Sequence, residues 1–431
     1  MKELENWEKK KLKHIVSIQK GKVPKEMITT NSNKELPVYL TMDYLRGESK
    51  KIYYVPDYEK YILIEDKEIL LLWDGSNAGE FLWSKKGVLS STMAVVKPND
   101  TINKQFLFYR FKDFERYLKD ITVGMGIPHV NPQEFLNFSF FIPSLNEQSL
   151  IANYLDHKTA EIDELIAKKE HLLELYEEEK KAIINRAVTK GINPNVKMKD
   201  SGIPWLGEIP EHWEVKKLKY VVSKIGSGIT PKGGANVYKL SGIPLLRSQN
   251  IHFNGLKLDD VAYISKEIHD SMSNSKVKPG DVLLNITGAS IGRCYFVEND
   301  LGEANVNQHV CIIRPQNIDT KFLYYILRSN IGQKQIVLEQ TGSGREGLNF
   351  EVLRNFFIPT TSLQEQQQIV SHIEKQLSLI DSKIEKTKKV IELLKDIKQA
   401  RGVIAFNINE FNREENDEFF SWFSDLVYEC L

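Results

Sequence analysis

From Glu147 to Val188 apolar residues return every three or four positions: Ile151, Leu155, Ile162, Leu165, Ile166, Leu172, Leu173, Tyr176, Ile183 and Ala187, with Lys and Glu between them. The stretch Glu365–Lys398 repeats the pattern through Ile369, Ile373, Leu377, Ile380, Ile384, Ile391, Leu394 and Ile397. This spacing marks one face of a helix, and neither stretch contains Pro or Gly. Each is expected to be a single helical rod of about 55–60 Å, at 1.5 Å per residue. The apolar stripe is narrow and nearly heptad, so an otherwise charged rod needs a partner. The other stretch is the expected partner, paired antiparallel. Packing on its own domain or on another subunit is the alternative.

The rest of the chain has a different rhythm. Short β-type runs at Glu68–Trp73, Ser91–Val96, Asp281–Ile286 and His309–Ile313 are punctuated by Gly, Pro and Asn. Helices are expected at Lys104–Arg116 and Thr320–Leu338.

These segments form an internal repeat. Trp7-Glu-Lys-Lys-Lys-Leu-Lys-His-Ile-Val-Ser returns as Trp213-Glu-Val-Lys-Lys-Leu-Lys-Tyr-Val-Val-Ser. Gln105-Phe-Leu-Phe-Tyr returns as Lys321-Phe-Leu-Tyr-Tyr, and Phe141-Ile-Pro143 with Leu145-Asn-Glu-Gln148 as Phe357-Ile-Pro359 with Leu363-Gln-Glu-Gln366. The offset drifts from 206 residues at Trp7/Trp213 to 218 at Asp163/Asp381, so the second copy carries about a dozen extra residues. The expected fold class is α+β. Two mixed α/β domains are joined by two long antiparallel helices, a coiled-coil spacer, with a pseudo-two-fold relation between the copies. The expected boundaries are 1–145 and 213–360 for the domains, 146–190 and 361–400 for the helices, 191–212 for the linker and 401–431 for a tail.

Charge sharpens this picture. The 431 residues carry 58 Lys+Arg and 58 Asp+Glu, yet the zero net charge hides a segregation. Met1–Leu145 holds 22 basic against 19 acidic residues and Trp213–Pro359 holds 18 against 13, leaving 18 against 26 elsewhere. Two mildly basic blocks alternate with acidic ones, as expected if the basic blocks face phosphates. Three cysteines, Cys294, Cys311 and Cys430, are too few for a disulfide framework and wrongly spaced for zinc. No apolar run reaches the ~18 residues of a membrane helix, and the Met1-Lys-Glu-Leu-Glu start has no signal core. A reduced cytoplasm is the expected setting.

Catalytic signatures are missing. A base amino-methyltransferase needs an Asn/Asp-Pro-Pro-aromatic loop, but the nearest strings are Asn131-Pro-Gln and Asn193-Pro-Asn. The chain has no Gly-x-x-x-x-Gly-Lys-Ser/Thr phosphate loop and no His-Glu-x-x-His metal motif. Pro56-Asp57 followed by Glu65-Asp66-Lys67 imitates a metal-dependent nuclease site, but the second copy has no counterpart, and a solvated loop and strand edge is the expectation.

The stretch from Arg186-Ala-Val-Thr-Lys-Gly-Ile-Asn-Pro-Asn-Val to Lys199-Asp-Ser-Gly-Ile-Pro-Trp-Leu-Gly-Glu-Ile-Pro-Glu-His-Trp213 closely resembles the central region of type I restriction–modification specificity subunits. The Trp-x-x-x-x-Leu openings and the Leu-x-Glu-Gln helix entries are similar too, so the resemblance covers about residues 5–400. It implies two target-recognition domains that each read one part of a split, asymmetric double-stranded DNA site, with the helices setting the gap between them. It also implies a chain without catalysis, docked to two methyltransferase subunits and two restriction/translocase subunits. S-adenosylmethionine, ATP and Mg²⁺ would then sit on those partners and no cofactor on this chain. After Lys398 the likeness fails, and the acidic, aromatic stretch Phe411–Leu431 is left open between a short amphipathic helix and loose chain.

In a chain of this kind, candidate DNA contacts fall in three matched pairs of segments and two further stretches of the second copy. Lys20, Lys22 and Lys25 in the first copy match Lys224, Ser227 and Lys232 around a Gly-containing turn suited to phosphate. Arg247, Ser248, Gln249 and Asn250 bring together side chains that pair with guanine and adenine edges. The turns Asp74–Gly79 and Thr287–Arg293 offer Ser76, Asn77, Ser290 and Arg293, and a strand opening offers Gln308. The loops Gly124–Asn131 and Thr341–Asn349 offer His129 and Asn131 in one copy, Ser343 and Arg345 in the other. Each of these also has a plain reading as a turn, a cap or a core hydrogen bond. At the level of the whole chain, the alternative is a two-domain coiled-coil adaptor that binds protein.

Overall fold

The computed structural model describes residues 7–30, 36–122, 128–298, 301–340 and 347–407. The chain divides into two compact units, one built from residues up to Glu170 and from Lys388 onward, the other from His171–Thr387.

In the first unit the strand Ile69–Leu72 is buried at every position, a continuous apolar run rather than an alternation. It sits inside a four-stranded antiparallel sheet, between Met93–Pro98 and Phe81–Trp83, with Val16–Lys20 on the outer side of Met93–Pro98. A three-stranded sheet of Tyr39–Leu40, Gly87–Leu89 and Leu63–Ile64 lies beside it in the fold, the first two strands parallel. The helix Lys104–Asp120 buries Phe106, Leu107, Phe111, Phe114 and Leu118, one face at 3–4 spacing. Phe111 stacks on Phe81 of the sheet, ring centroids 4.2 Å apart. The strand Glu8–Lys11 pairs with Ser139–Ile142, which delivers the chain into the first long helix.

The second unit repeats this order. Val222–Ser227, Val310–Pro315, Val282–Asn285 and Cys294–Phe296 form the four-stranded sheet. Ala262–Ile264, Ile243–Leu246 and Asn305–Val306 form the three-stranded one, and Glu214–Lys217 pairs with Phe357–Thr360. This unit also carries the hairpin Ile251–His252/Gly255–Leu256 and the helix Lys266–Ser271. The helix expected across Thr320–Leu338 is two, Thr320–Arg328 and Asn330–Gln340. Ser329 adopts an extended backbone and its hydroxyl accepts from the N–H of Ile331, so it ends one helix and starts the next. Cys294 and Cys311 are free and buried on strands flanking Val282–Asn285, and burial pushes both thiols up to about 12. They behave as small core hydrophobes.

The long helices run Leu145–Lys190 and Leu363–Asn407. They pack together antiparallel, as expected. Within the first unit Lys398 meets Asp163 at 2.6 Å and Lys395 meets Glu170 at 3.3 Å. Within the second, Lys180 meets Asp381 at 2.7 Å and the Lys383 ammonium lies 5.8 Å from the Tyr176 ring. Packing on the domains occurs as well, because the two arrangements use different turns of each rod. Ala152 and Leu155 join the core of the first domain, whereas Ile369, Ile373 and Leu377, together with Ile184, Ala187 and Val188, join the core of the second. Between the copies, Met198–Asp200 and Glu208–Pro210 form a hairpin whose Ile209, with Trp213, is buried in the second unit's core. No described helix is long and apolar enough to cross a membrane.

Candidate nucleic-acid interface

In each domain the first strand of the four-stranded sheet ends in a glycine that crosses another backbone at contact distance. A β-carbon on Gly21 would collide with the Ser90 carbonyl oxygen, and one on Gly228 with that of Val306. The crossing is latched by the Gly21 N–H donating to Met93 O at 3.0 Å and the Gly228 N–H to Asn307 O at 3.1 Å. Only glycine fits. Each crossing projects the following residues outward, so Lys22 and Lys25 are exposed in one domain and Lys232 in the other. The Lys25 main-chain N–H is anchored by the Tyr61 hydroxyl at 2.9 Å, which leaves its side chain available.

The turn after the central strand sits next to this crossing. In the first domain it is Asp74–Gly79, with positive φ at Gly75 and Gly79 and with Ser76 and Asn77 exposed. Asp74 pairs with Lys20 at 2.7 Å and bridges through its backbone to the exposed His129. In the second domain the Thr287–Gly292 turn bridges to Gly347. Thr287, His309, Gln308 and Thr230 form a continuous side-chain chain, with links of 2.6 Å from Thr287 to His309, 2.9 Å from His309 to Gln308 and 2.6 Å from Thr230 to Gln308. Arg293 is half-buried beside this turn and its guanidinium has no hydrogen bond or ion pair among the described residues. Ser343 and Arg345 lie outside the described residues.

Several candidates turn out to be committed to the fold. Asn250 is 1% exposed, its Oδ1 accepting from the Arg247 N–H at 2.9 Å and its amide donating to Lys257 O at 2.8 Å. It is a buried cap, not a surface reader. Asn131 is the N-cap of the helix Pro132–Asn137 and accepts from the Gln133 and Glu134 N–H groups. The Lys224 ammonium donates to Asn274 O at 2.6 Å, and burial, with Arg314 nearby, lowers its pKa. Ser227 is half-buried with its hydroxyl on Gly228 O at 3.2 Å. The Ser290 hydroxyl accepts from the Asn285 amide at 3.0 Å, and that amide also donates to Ser248 O at 2.8 Å, tying the Arg247–Asn250 turn to the Thr287–Gly292 turn. Arg247 donates to Asp260 O at 3.1 Å and Gln249 to Asp260 Oδ2 at 2.6 Å, so Asp260 orients both. For Asn131 the local sequence carries the signal, since Pro132 and Glu134 after it mark a helix start, whereas nothing around Asn250 shows that it is buried.

The sequence also gives no reason to group Thr230, Thr287 and His309, which come from three separate strand ends and meet only in the folded domain. Among the described residues no three His, Cys, Asp or Glu side chains are placed to hold a metal. Asp57 pairs with Lys60 instead, and Glu65 with Lys86, so the nuclease-like string is dispersed over a turn and a strand edge.

The family model for the type I restriction modification DNA specificity domain matches residues 4–175 and again 210–394. The type I restriction enzyme MjaVIII specificity subunit of Methanocaldococcus jannaschii is 34% identical over 400 residues, spanning 90% of this chain and 91% of that one. The EcoBI specificity subunit of Escherichia coli is 25% identical, over 88% and 81% of the two chains. Among solved structures, a chain from work on assembly and conformational transition of the type I R-M system superposes with a TM-score of 0.63 at 16% identity, covering 93% of this chain and 98% of that one. The HsdS subunit from Thermoanaerobacter tengcongensis gives 0.54 at 16% identity, over 93% and 97%. These superpositions establish the fold.

Proposed function

Because the chain belongs to the type I restriction modification DNA specificity family, we propose that each of its two domains reads one part of a split, asymmetric DNA target and that the paired helices set the number of unread base pairs between the parts. The chain is the DNA-recognition component of such a system. One observation carries the proposal: a single backbone plan is used twice, and at matching positions it bears unlike chemistry. Asp74, held by Lys20 in one copy, stands where the other copy has Thr287, whose hydroxyl opens the chain through His309 and Gln308 to Thr230. Two readers of different sequences need that arrangement. Joined by a stiff spacer, each makes the other's binding intramolecular, so two modest affinities combine.

Bond-making and bond-breaking are assigned to other polypeptides. Two modification subunits would supply S-adenosylmethionine and two restriction/translocase subunits would supply ATP and Mg²⁺, with no cofactor on this chain. A groove of about 780 Å³ in the second unit, lined in part by Arg186, Lys190, Trp205 and Lys334, supports docking of an acidic surface along the first long helix. A cytoplasmic site of action fits DNA as the ligand. The adaptor reading is not favoured, since the family match covers both domains and about two thirds of each long helix.

The test is co-expression with the modification subunits of its own system, followed by mapping of methylated bases in genomic DNA. A two-part motif with a constant gap is expected. A one-part motif, or none, would overturn the proposal, and turnover of DNA by the purified chain alone would overturn its non-catalytic role.

A further inference from the structure

We infer that Gln308 is a base-reading residue of the second domain, specific for adenine in an A·T pair, and that Thr230, His309 and Thr287 are positioning residues that hold its amide in one orientation. The inference rests on the DNA-reading function proposed above and adds the base and the atoms.

Gln308 is exposed, yet its amide is not free to turn. The Thr230 hydroxyl donates to its Oε1 at 2.6 Å, and its Nε2 lies 2.9 Å from His309 Nε2. An amide nitrogen only donates, so His309 Nε2 accepts and the imidazole proton sits on Nδ1. That proton faces Thr287 Oγ1 at 2.6 Å, and His309 is itself held by its main-chain N–H on Asn307 Oδ1 at 3.1 Å. With both partners satisfied, the Gln308 amide still carries one N–H and one carbonyl lone pair. Adenine offers the matching acceptor and donor, N7 and N6–H, along its major-groove edge. Ile229, 55% exposed and next to Thr230, supplies an apolar group of the kind that packs on the thymine methyl of the same pair.

The first domain makes the contrast. The His309 carbonyl accepts from the Ile286 N–H, and in the first domain the Thr92 carbonyl accepts from the Trp73 N–H, so the backbones correspond. There Ser91 and Thr92 stand in place of Gln308 and His309, and Asp74 in place of Thr287. The amide reader is built into one copy alone.

The experiment compares methylome motifs from cells carrying the full chain with its modification subunits. Wild type should give a two-part motif with a fixed A·T pair in one part. Gln308→Ala should relax that position alone, lowering discrimination about tenfold or more, and leave the other part and the gap intact. Gln308→Glu should turn the preference toward cytosine, whose N4 donates to a carboxylate. Thr230→Val should weaken the preference while Thr230→Ser retains it, a split that a purely structural threonine would not produce. An unchanged motif in Gln308→Ala, or methylation falling equally at every site, would overturn the assignment. A wild-type chain with no two-part motif would defeat the recognition reading as well, so the two failures are distinct.

Discussion

The side-chain carbonyl of Gln148 accepts the main-chain N–H of Asn103 at 2.7 Å, joining the start of the first long helix to the N-cap of the domain helix Lys104–Asp120. The same bond recurs in the second copy, where Gln366 accepts from Asp319 at 2.8 Å. Each glutamine is 1% exposed and donates back to the turn before its own helix, Gln148 to Pro143 O at 2.9 Å and Gln366 to Thr361 O at 2.7 Å. The Leu-x-Glu-Gln text at each helix entry is therefore a joint between reader and spacer. Gln148→Ala or Gln366→Ala should strand a buried N–H and a carbonyl and cost about 1–3 kcal/mol. Urea unfolding measures this, and an unchanged midpoint would remove the joint's role.

Glu365 beside that glutamine collects three donors: Thr361, His212 at 2.9 Å and Trp213 Nε1–H at 3.1 Å. Burial raises its pKa, but these hydrogen bonds outweigh burial and leave the carboxyl below the usual range. A carboxyl depressed in the folded state contributes stability that is present above its unfolded pKa, near 4.3, and is lost as pH falls through the folded value. Thermal midpoints should therefore drop below about pH 4. Glu365→Gln should flatten that drop, and an identical acid profile would refute the assignment.

Gly228→Ala and Gly21→Ala each place a β-carbon against a carbonyl oxygen of the crossing chain. The backbone must move, at about 1–3 kcal/mol. DNA affinity should fall in parallel, because the exposed lysines follow these glycines. Alanine scans at Lys22 and Lys232 should instead weaken binding without loss of stability and reduce its salt dependence.

Lys180 is nearly buried between the long helices and its partner Asp381 is mostly exposed, 2.7 Å away. Asp381→Ala should leave the ammonium without this partner and cost about 1 kcal/mol, a small figure because solvent screens the carboxylate. Lys180→Met should be neutral or stabilising, since an apolar residue of similar length suits a buried seam. Calorimetry of the two variants separates these outcomes, and equal losses would contradict the account.

Inserting four residues, about one helical turn, within Ala182–Arg186 should lengthen the unread gap in the methylated motif without altering either part. A gap that stays constant would refute the spacer role.

The long helices were legible because a 3–4 apolar rhythm over some forty residues, free of Pro and Gly, admits one conformation, and the duplicated text required two domains of one design. The central strands were legible for a similar reason: Ile69–Leu72 and Val282–Asn285 are unbroken apolar runs bounded by turn residues. The break at Ser329 was not, because a serine inside an apolar rhythm reads as a helical position until its hydroxyl is seen to cap the next helix. The burial of Asn250 was equally hidden, since it depends on where the chain returns.

The amino-acid sequence by itself determined the duplication, the two rods, the alternating basic blocks and the family, because each is a property of local composition and order. The three-dimensional fold decided which polar side chains face outward and which are consumed inside. Hydrogen bonds such as Thr230 to Gln308 and Asn103 to Gln148 join residues 78 and 45 positions apart, and a bond across that distance exists only after the sheets and helices have packed.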